Sequence, residues 1–221
     1  MAPVCPARVR GCENAAVKTM TAAQAAGYDS LMQRLERRYF PDTRAWVCQR
    51  AEGDTLEVAV GTGLNLPYYS EAVRLTAVDA SPDMLALART RARALSRTVV
   101  FAEGDASSLP YADASFDSVV CTFALCEVPD DAQVVGELLR VLRPGGNLLL
   151  ADHVIATGRF VRLAQRLLEA VTIPLGGEHY TRRPSHHLSA PTVELVDSDR
   201  FAHGAVEQVH ARKAAGDPQA T

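Results

Sequence analysis

The chain has 221 residues, of which 48% are hydrophobic and 22% are charged, and its formal net charge is −3. These values are typical of a soluble globular domain and exclude a disordered, fibrous or collagen-like protein. The acidic balance disfavours nucleic acid as a partner, and no apolar run approaches the length of about 18 residues that a membrane span requires. Residues 1–20 contain no apolar core, so a secretory signal is not expected.

The cysteines and histidines give no sign of a disulfide framework or a metal site. The chain has five cysteines, an odd number, and no Cys-x-x-Cys pair. This pattern argues against disulfides and structural zinc and predicts a reducing, cytoplasmic environment. The six histidines have no acidic partners at ligand spacing, so no metal site is expected.

Periodicity and composition divide the chain into four segments. Residues 1–20 lack periodicity and are predicted to be a mobile N-terminal segment. Residues 21–51 carry apolar residues at helical spacing and are predicted to form a helical cap. Residues 52–213 form the main domain, and residues 214–221 are a tail without core residues.

Beyond the cap, short apolar strands alternate with amphipathic helices. The predicted strands are residues 56–60, 75–79, 98–105, 115–125, 147–154, 192–199 and 205–213, and the predicted helices are residues 81–95, 130–142 and 158–171. Alternation of this kind predicts a parallel sheet covered on both faces, and the short link between the last two strands predicts a hairpin. The predicted fold class is therefore α/β: a doubly wound, mostly parallel, seven-stranded Rossmann-like sheet with a C-terminal antiparallel hairpin and an N-terminal helical cap.

The first two strands end in residues that suit a nucleotide-like ligand. Gly61 and Gly63 follow the first strand, where glycines let the backbone approach a ligand closely, although a simple tight turn explains them equally well. The dinucleotide fingerprint requires a third glycine at the position of Leu66, which weakens a nicotinamide interpretation. Asp79 ends the second strand, where a carboxylate can accept both ribose hydroxyls; the alternative is a helix-capping or surface aspartate.

Three further polar features lie along the main domain. Asp105 follows the third strand and has the position of an acceptor for an adenine amino group. Asp117 precedes the fourth strand and has a structural interpretation. The arginines of the helix over residues 81–95, including Arg91, are predicted to form a solvated face rather than a phosphate groove.

The motifs follow one another along the chain in this order: Glu57, Gly61-Thr62-Gly63, Asp79, Gly104-Asp105-Ala106 and the Arg143-Pro144-Gly145-Gly146 turn. This order resembles the class I S-adenosylmethionine-dependent methyltransferases, and within them the small-molecule branch that includes the ubiquinone and menaquinone enzymes. The resemblance covers roughly residues 28–212. It implies S-adenosylmethionine as cofactor and S-adenosylhomocysteine as product.

The resemblance also implies which residues contact the cofactor. Glu57 would support the glycine turn and reach the methionine ammonium indirectly, Asp79 would bind the ribose, and Asp105 with Ala106 would bind adenine. Tyr28 matches a tyrosine-aspartate pair that often closes over the site. The complete implied set is Tyr28, Glu57, Ala59, Gly61, Thr62, Gly63, Asp79, Ala80, Met84, Gly104, Asp105, Ala106 and Thr122.

One position departs from the family pattern. The family usually has glycine where this chain has Ala59. An alanine is tolerated without strain if the backbone φ at that position is negative, and cofactor binding should then survive.

Three residues at the carboxyl edge of the sheet are candidates for a catalytic base. His153 follows the fifth strand, and an imidazole has the unperturbed pKa suited to proton transfer near neutrality, although a structural histidine is an equal alternative. Glu127 follows the fourth strand beside Cys126, which is better interpreted as a small core residue. His179, followed by Tyr180, lies in a Gly-Gly-containing segment with the composition of a substrate cover.

The expected function is methyl transfer from S-adenosylmethionine to a small organic acceptor through nitrogen, oxygen, sulfur or carbon, including the tailoring of natural products. Short stretches such as ALCEVPD also resemble bacterial phospholipid N-methyltransferases and thiol S-methyltransferases. A phospholipid headgroup acceptor is therefore one alternative. A cofactor-binding fold with a cyclase or regulatory role is another, and a nicotinamide oxidoreductase is a third. The expected partners are a small-molecule acceptor and neither nucleic acid nor a membrane span; the oligomeric state stays open.

Overall fold

The computed structural model describes residues 29, 34, 36, 38, 39, 41–175, 179–189 and 191–215. Its strands are β1 Asp54–Val58, β2 Arg74–Asp79, β3 Val99–Glu103, β4 Phe116–Thr122, β5 Leu142–His153, β6 Val193–Phe201 and β7 Val206–Lys213. Its helices are α1 Thr43–Cys48, α2 Pro82–Ala94, α3 Asp131–Val141 and α4 Arg159–Leu175. The described residues between 29 and 39 are helical. The predictions for residues 1–20, Tyr28 and residues 216–221 lie outside the described residues.

The seven strands form one sheet in the order β3-β2-β1-β4-β5-β7-β6. Strands β1 to β5 pair in parallel, β7 pairs antiparallel with β5, and β6 pairs antiparallel with β7. The predicted fold class is confirmed, including the C-terminal hairpin, in which β7 runs against the other strands. The strand order reverses at β1, so the carboxyl ends of β1, β2 and β4 border the crevice in which doubly wound sheets bind ligands.

Buried aliphatic side chains hold helices against both faces of the sheet. On one face Leu56 of β1 shares a cluster with Leu138 of α3. On the other face Leu75 and Leu149 share a cluster with Val47 of α1. Because both faces are covered, β1 and β4 are buried along almost their whole length rather than at alternate residues.

Local capping signals place helix α2 where the sequence predicts it. Ser81 Oγ accepts a hydrogen bond from the backbone N–H of Met84 at 3.3 Å, and Pro82 is the first helical residue. Helical spacing predicts that Leu85, Ala88, Ala92 and Leu95 face inward; the first three are buried, whereas the prediction for Leu95 is wrong. Leu95 is the C-cap and is exposed, because the helix ends before its side chain reaches the sheet.

Some element bounds differ from the prediction for local reasons. Strand β1 ends at Val58, because the chain turns into a left-handed conformation at Ala59. Strand β5 begins at Leu142 directly after α3, so the Pro-Gly-Gly turn forms its irregular start. Helix α4 continues beyond residue 171, the last residue of its predicted range, through Pro174 to Leu175. Within the described ranges, no helix has both the length and the hydropathy needed to cross a bilayer.

Candidate functional site

The glycine turn after β1 combines close packing on one side with open space on the other. Gly61 and Gly63 have φ angles of 55° and 81°, in the left-handed region that favours glycine. A Cβ on Gly63 would lie 2.8 Å from Leu66 Cδ1 and 3.3 Å from Ala88 Cα, so this glycine lets α2 pack against the turn. A Cβ on Gly61 would meet nothing within 4 Å. The turn is therefore held from behind and leaves room for a ligand at Gly61.

Ala59 does not have the backbone conformation in which an alanine is free of strain. Its φ is 55°, so the condition of a negative φ is not met. The left-handed region brings the alanine Cβ close to the following carbonyl oxygen, which costs about 1–2 kcal/mol relative to the ordinary helical region. Gly61 N–H and the strand pairing of β1 hold the turn in place despite this strain.

Replacing Ala59 with glycine is expected to stabilise the protein by about 1 kcal/mol, because glycine removes the strain but adds conformational entropy to the unfolded chain. The melting temperature should rise by about 2–4 °C for a chain of this size. Thermal unfolding of the ligand-free protein measures the change. Ala86→Gly, at an exposed position inside α2, is the matched control and should lower stability instead. An unchanged or lower melting temperature for Ala59→Gly would contradict the strain argument.

Asp79, at the end of β2, supports the glycine turn. Its Oδ2 accepts a hydrogen bond from Gly61 N at 2.8 Å, and its Oδ1 accepts one from Ser81 N at 2.9 Å. Burial raises the pKa of this carboxyl, and the backbone N–H groups oppose the rise. Ser81 rather than Asp79 caps α2, so the capping alternative is wrong. Each carboxylate oxygen keeps acceptor capacity for a further donor, as two ribose hydroxyls would require.

Glu57 is the most deeply buried carboxylate of the turn, with 2% of its surface exposed. Its Oε1 accepts a hydrogen bond from Asn65 Nδ2 at 3.0 Å, and Asn65 Nδ2 also donates to Thr122 Oγ1 at 2.8 Å. The buried Tyr69 hydroxyl lies beside this carboxylate and opposes the rise of its pKa. Burial raises the pKa of Glu57 to about 7, against the opposing effects of Tyr69, Asn65 and Arg44. A buried carboxylate attracts a positively charged ligand group nearby.

Arg44 of α1 extends this polar cluster to the cap. Its Nη1 donates to Asn65 Oδ1 at 2.8 Å, and its Nε and Nη2 donate to the Glu36 carboxylate at 2.8 and 2.6 Å. The guanidinium carbon also lies 4.9 Å from the centre of the Phe123 ring. Sequence reasoning missed Arg44 and Glu36, because nothing local distinguishes them from surface charges. Asn65, a polar residue directly after the glycine turn, is the feature of the sequence that points to this cluster.

A second ion pair attaches the cap to the glycine turn. Asp29 is buried; its Oδ1 accepts from Thr62 Oγ1 and its Oδ2 from Arg91 Nη2, both at 2.7 Å. Arg91 Nη1 donates to the Thr62 carbonyl oxygen at 2.9 Å. The prediction that the α2 arginines form only a solvated face is therefore wrong for Arg91. Asp29 is the acidic member of the tyrosine-aspartate pair to which Tyr28 belongs, and Tyr28 itself is outside the described residues.

The remaining cofactor candidates lie around the same crevice. Gly104 follows β3, where a Cβ would lie 2.9 Å from Val78 Cγ2. Asp105 is exposed, and its Oδ1 accepts a hydrogen bond from Ser107 N at 2.8 Å. Ala106 and Met84 are half-buried, whereas Ala80 is exposed. Contacts of these five residues with the cofactor stay predictions. Asp117, in contrast, accepts from Asp54 N at 2.8 Å and pairs with Arg143, so its structural interpretation is supported.

His153 lies at the end of β5 among aromatic side chains. The centre of its ring is 5.2 Å from that of Phe123 and 6.1 Å from that of Tyr180. Burial lowers the pKa of His153, with Glu36 opposing the change and Arg44 adding to it. The imidazole is therefore neutral at pH 7 and has the protonation state that a general base requires.

The other two catalytic candidates take different positions. The backbone N–H of His179 donates to the Cys126 carbonyl oxygen at 2.7 Å, which brings the segment after α4 to the end of β4. Burial and Arg182 lower the pKa of His179. Glu127 is exposed, and its backbone N–H donates to the Ala124 carbonyl oxygen at 3.0 Å. The described contacts give the side chains of His179 and Glu127 no defined role, and both stay predictions.

Asp152, which the sequence did not single out, organises the loop after β4. Its Oδ2 accepts from Leu125 N at 2.6 Å and Ala124 N at 3.2 Å, and its Oδ1 accepts from His153 N at 2.7 Å. Burial raises the pKa of Asp152 to about 6. Ligand-type atoms of Cys126, Asp152 and His153 lie within 4.8 Å of one another. Because Asp152 already accepts three backbone N–H groups, loop support accounts for this grouping.

Proteins of known activity are similar in sequence to this chain. Residues 56–150 match the family model described as a methyltransferase domain. A phosphatidylethanolamine N-methyltransferase from Cereibacter sphaeroides is 42% identical over 103 residues, which cover 46% of this chain and 51% of that protein. A demethylmenaquinone methyltransferase from Deinococcus radiodurans is 38% identical over 144 residues, covering 62% of this chain and 60% of that protein. A thiol S-methyltransferase from Rattus norvegicus is 34% identical over 158 residues, covering 68% and 64%.

A solved SAM-dependent methyltransferase from Aquifex aeolicus superposes with a TM-score of 0.62 at 19% identity, covering 86% of this chain and 98% of that one. That likeness shows the fold. The chain covers between 51% and 64% of the length of the three relatives. The resemblance derived from the glycine turn, Asp79 and the Pro-Gly-Gly turn is confirmed. Residues 56–150 of this chain therefore match a methyltransferase domain, and they lie on a Rossmann-like sheet.

Proposed function

We propose that the protein transfers the methyl group of S-adenosylmethionine to a small organic acceptor through a nitrogen, oxygen, sulfur or carbon atom. The observation that carries this proposal is the polar cluster at the carboxyl ends of β1 and β4, where Asn65 joins the buried Glu57 carboxylate to Thr122 and to Arg44. The matched methyltransferase domain supports it. Cys48, Cys121 and Cys126 are buried and form no disulfide among the described residues, which fits the reducing, cytoplasmic location that is part of the proposal.

The residues of the crevice fit S-adenosylmethionine in charge and in space. The negative charge of the buried Glu57 carboxylate suits the ammonium group of the cofactor, which it would reach indirectly, and the Arg44 guanidinium suits the cofactor carboxylate. Asp79 would accept the ribose hydroxyls, and the open side of Gly61 leaves room for the chain between them. When bound, the cofactor supplies an activated methyl group on a sulfonium, so positioning accounts for most of the catalysis.

The acceptor would lie on the side of the crevice that β5 borders. Phe123 and Tyr180 flank His153 there and offer aromatic surface to an organic molecule. A neutral His153 would take a proton from an oxygen, nitrogen or thiol acceptor, or orient it. The buried Asp152 carboxylate would hold His153 and the loop after β4 in fixed positions relative to each other through three backbone hydrogen bonds.

Two measurements test the function. Calorimetry with S-adenosylhomocysteine and with NADPH should show binding of the first only, and the reverse result would favour an oxidoreductase. Incubation with S-adenosylmethionine labelled in the methyl group, followed by mass spectrometry of an acceptor panel, should show transfer of the label. Binding of the cofactor with no transfer to thiol, amine, phenol or phosphatidylethanolamine acceptors would instead favour a cyclase or regulatory role.

The affinity for S-adenosylhomocysteine is expected to rise by about tenfold between pH 6 and pH 8, because Glu57 has a pKa of about 7 and attracts the ligand ammonium only when ionised. The raised pKa keeps the carboxyl protonated below pH 7, so the gain appears as the pH rises through that value. Calorimetry across this range measures it. Glu57→Gln, which has the same shape and cannot ionise, should lose the gain. An equal rise in that variant would assign the pH dependence to another group.

A further inference from the structure

Helix α4 turns its polar side toward the protein. Gln165 is buried; its Oε1 accepts from Ala156 N and its Nε2 donates to the Val154 carbonyl oxygen, both at 2.8 Å. Glu169, also buried, accepts hydrogen bonds from the backbone N–H and hydroxyl of Thr181 at 2.6 and 2.8 Å. The inward contacts of α4 are thus made largely by hydrogen bonds, which leaves its apolar residues on the outside.

The outer side of α4 carries an apolar stripe, defined as Phe160, Leu163, Leu167, Leu168 and Val171. The exposed fractions of Phe160, Leu163 and Leu167 are 81%, 57% and 65%. Single exposed apolar residues are ordinary on protein surfaces, but five on one helical face form a patch that marks an interaction surface. The spacing of these residues places them on one side of the helix, opposite Gln165 and Glu169.

The charges that border the stripe have one sign. Arg159 and Arg166 are exposed on α4, Arg162 is half-buried, and the acidic Glu169 faces inward. At 100° per residue the three arginines lie along one edge of the stripe. The outer side of α4 therefore presents a positive edge beside an apolar surface, although the whole chain has a net charge of −3.

We infer that α4 docks the protein on the surface of a bilayer that contains anionic lipid. An apolar face bordered by arginines is the pattern of helices that lie in the membrane interface, with the apolar side chains at the boundary between headgroups and acyl chains. Lipid phosphates would pair with the arginine edge. Residues 1–28 are poorer occupants of the stripe, because they carry Arg8, Arg10 and Lys18 against the single acid Glu13 and would repel the same edge. A second copy of the chain that packs antiparallel on the stripe would likewise bring arginines toward arginines.

The polar side of α4 connects this surface to the candidate site. Gln165 binds the segment that follows His153, and Glu169 binds Thr181, the neighbour of Tyr180. Docking through the apolar stripe would therefore place the acceptor side of the crevice near the bilayer. Acceptors would then enter the crevice from the membrane. This consequence rests on the proposed function, whereas docking itself does not.

Vesicle flotation tests the docking without cofactor or acceptor, so its outcome is independent of methyl transfer. The purified full chain should float with vesicles of 70% phosphatidylcholine and 30% phosphatidylglycerol, and at least tenfold less with phosphatidylcholine alone. Binding should weaken as salt is raised, because salt screens the arginine–phosphate attraction. Absence of flotation with the anionic vesicles would overturn the proposal.

Two variants assign the binding to α4. The double variant Leu163→Glu and Leu167→Glu should reduce binding at least tenfold, and Arg159→Gln with Arg166→Gln should abolish the preference for anionic vesicles. Leu195→Gln, at a position on β6 that is 58% exposed, is the matched control and should bind like the wild type. Melting temperature and S-adenosylhomocysteine affinity should be unchanged in all of them, since these side chains are exposed. Undiminished binding of the double glutamate variant would overturn the proposal. So would light scattering that shows a dimer for the wild type and a monomer for the double glutamate variant.

Discussion

Replacement of His153 by alanine is expected to lower turnover by about 10²–10⁴-fold, the usual effect of losing a general base, and to leave the affinity for S-adenosylhomocysteine nearly unchanged. The side chain ends β5 beside Phe123 and Tyr180, on the acceptor side of the crevice. Steady-state kinetics with an acceptor identified by mass spectrometry, together with calorimetry, separates the two quantities. His187→Ala, at an exposed position that pairs with Asp131, is the control and should keep normal turnover.

The pH profile distinguishes a base from a structural histidine. Burial lowers the pKa of His153 from its ordinary value of 6.5, and a base acts in its neutral form. Wild-type turnover should therefore rise with pH through a value below 6.5 and level off above it. The alanine variant should lack this rise. Full activity in that variant, or an identical acid limb in both proteins, would remove His153 from the chemistry.

The second large effect is expected at Asp79, where alanine should weaken S-adenosylhomocysteine binding by about 1–3 kcal/mol, or roughly 5–150-fold. The variant loses the predicted ribose acceptor and also the hydrogen bonds from Gly61 N and Ser81 N that shape the turn. Asp79→Asn keeps one carbonyl oxygen and should show a smaller loss. Calorimetry measures the affinities, and thermal unfolding establishes that each variant is folded.

Asp83→Ala is the matched control, because Asp83 is exposed in the first turn of α2, four residues beyond Asp79. Its affinity should equal that of the wild type. An Asp79→Ala protein that is folded and binds with unchanged affinity would contradict the assignment of the ribose site. Asp79 would then be a purely structural carboxylate that supports the turn through Gly61 N and Ser81 N.

The path of the polypeptide through the main domain was predictable because its signals are local. Apolar runs separated by capped helices define the strands, and Ser81 with Pro82 marks the start of α2 within four residues of sequence. The short link before Val206 predicted the hairpin of β6 and β7, which the sheet pairing confirms. Asp79 could be identified as a candidate binding residue for the same reason, because the carboxyl ends of strands in a doubly wound sheet border the ligand crevice.

Strain at Ala59 illustrates what local patterns do not reveal. The residue type is visible in the sequence, but its φ of 55° depends on how β1 meets the turn that Asp79 holds. The sequence by itself shows only that an alanine at this position requires a negative φ to be free of strain. The structure shows that the condition is not met, and the cost is absorbed by the surrounding hydrogen bonds.

The amino-acid sequence by itself determined the order of elements, the fold class and the glycine-turn motif, because each depends on residues within a few positions of one another. Only the tertiary structure decided which polar side chains meet. Asp29 reaches Arg91 across 62 positions, and Arg44 reaches Thr122 across 78, and neither pair has a local signature. The same holds for α4, whose periodicity predicts a helix but not which side meets the protein. That choice depends on where buried hydrogen-bond partners such as Ala156 N and Thr181 N lie in the folded chain, and they select the polar side.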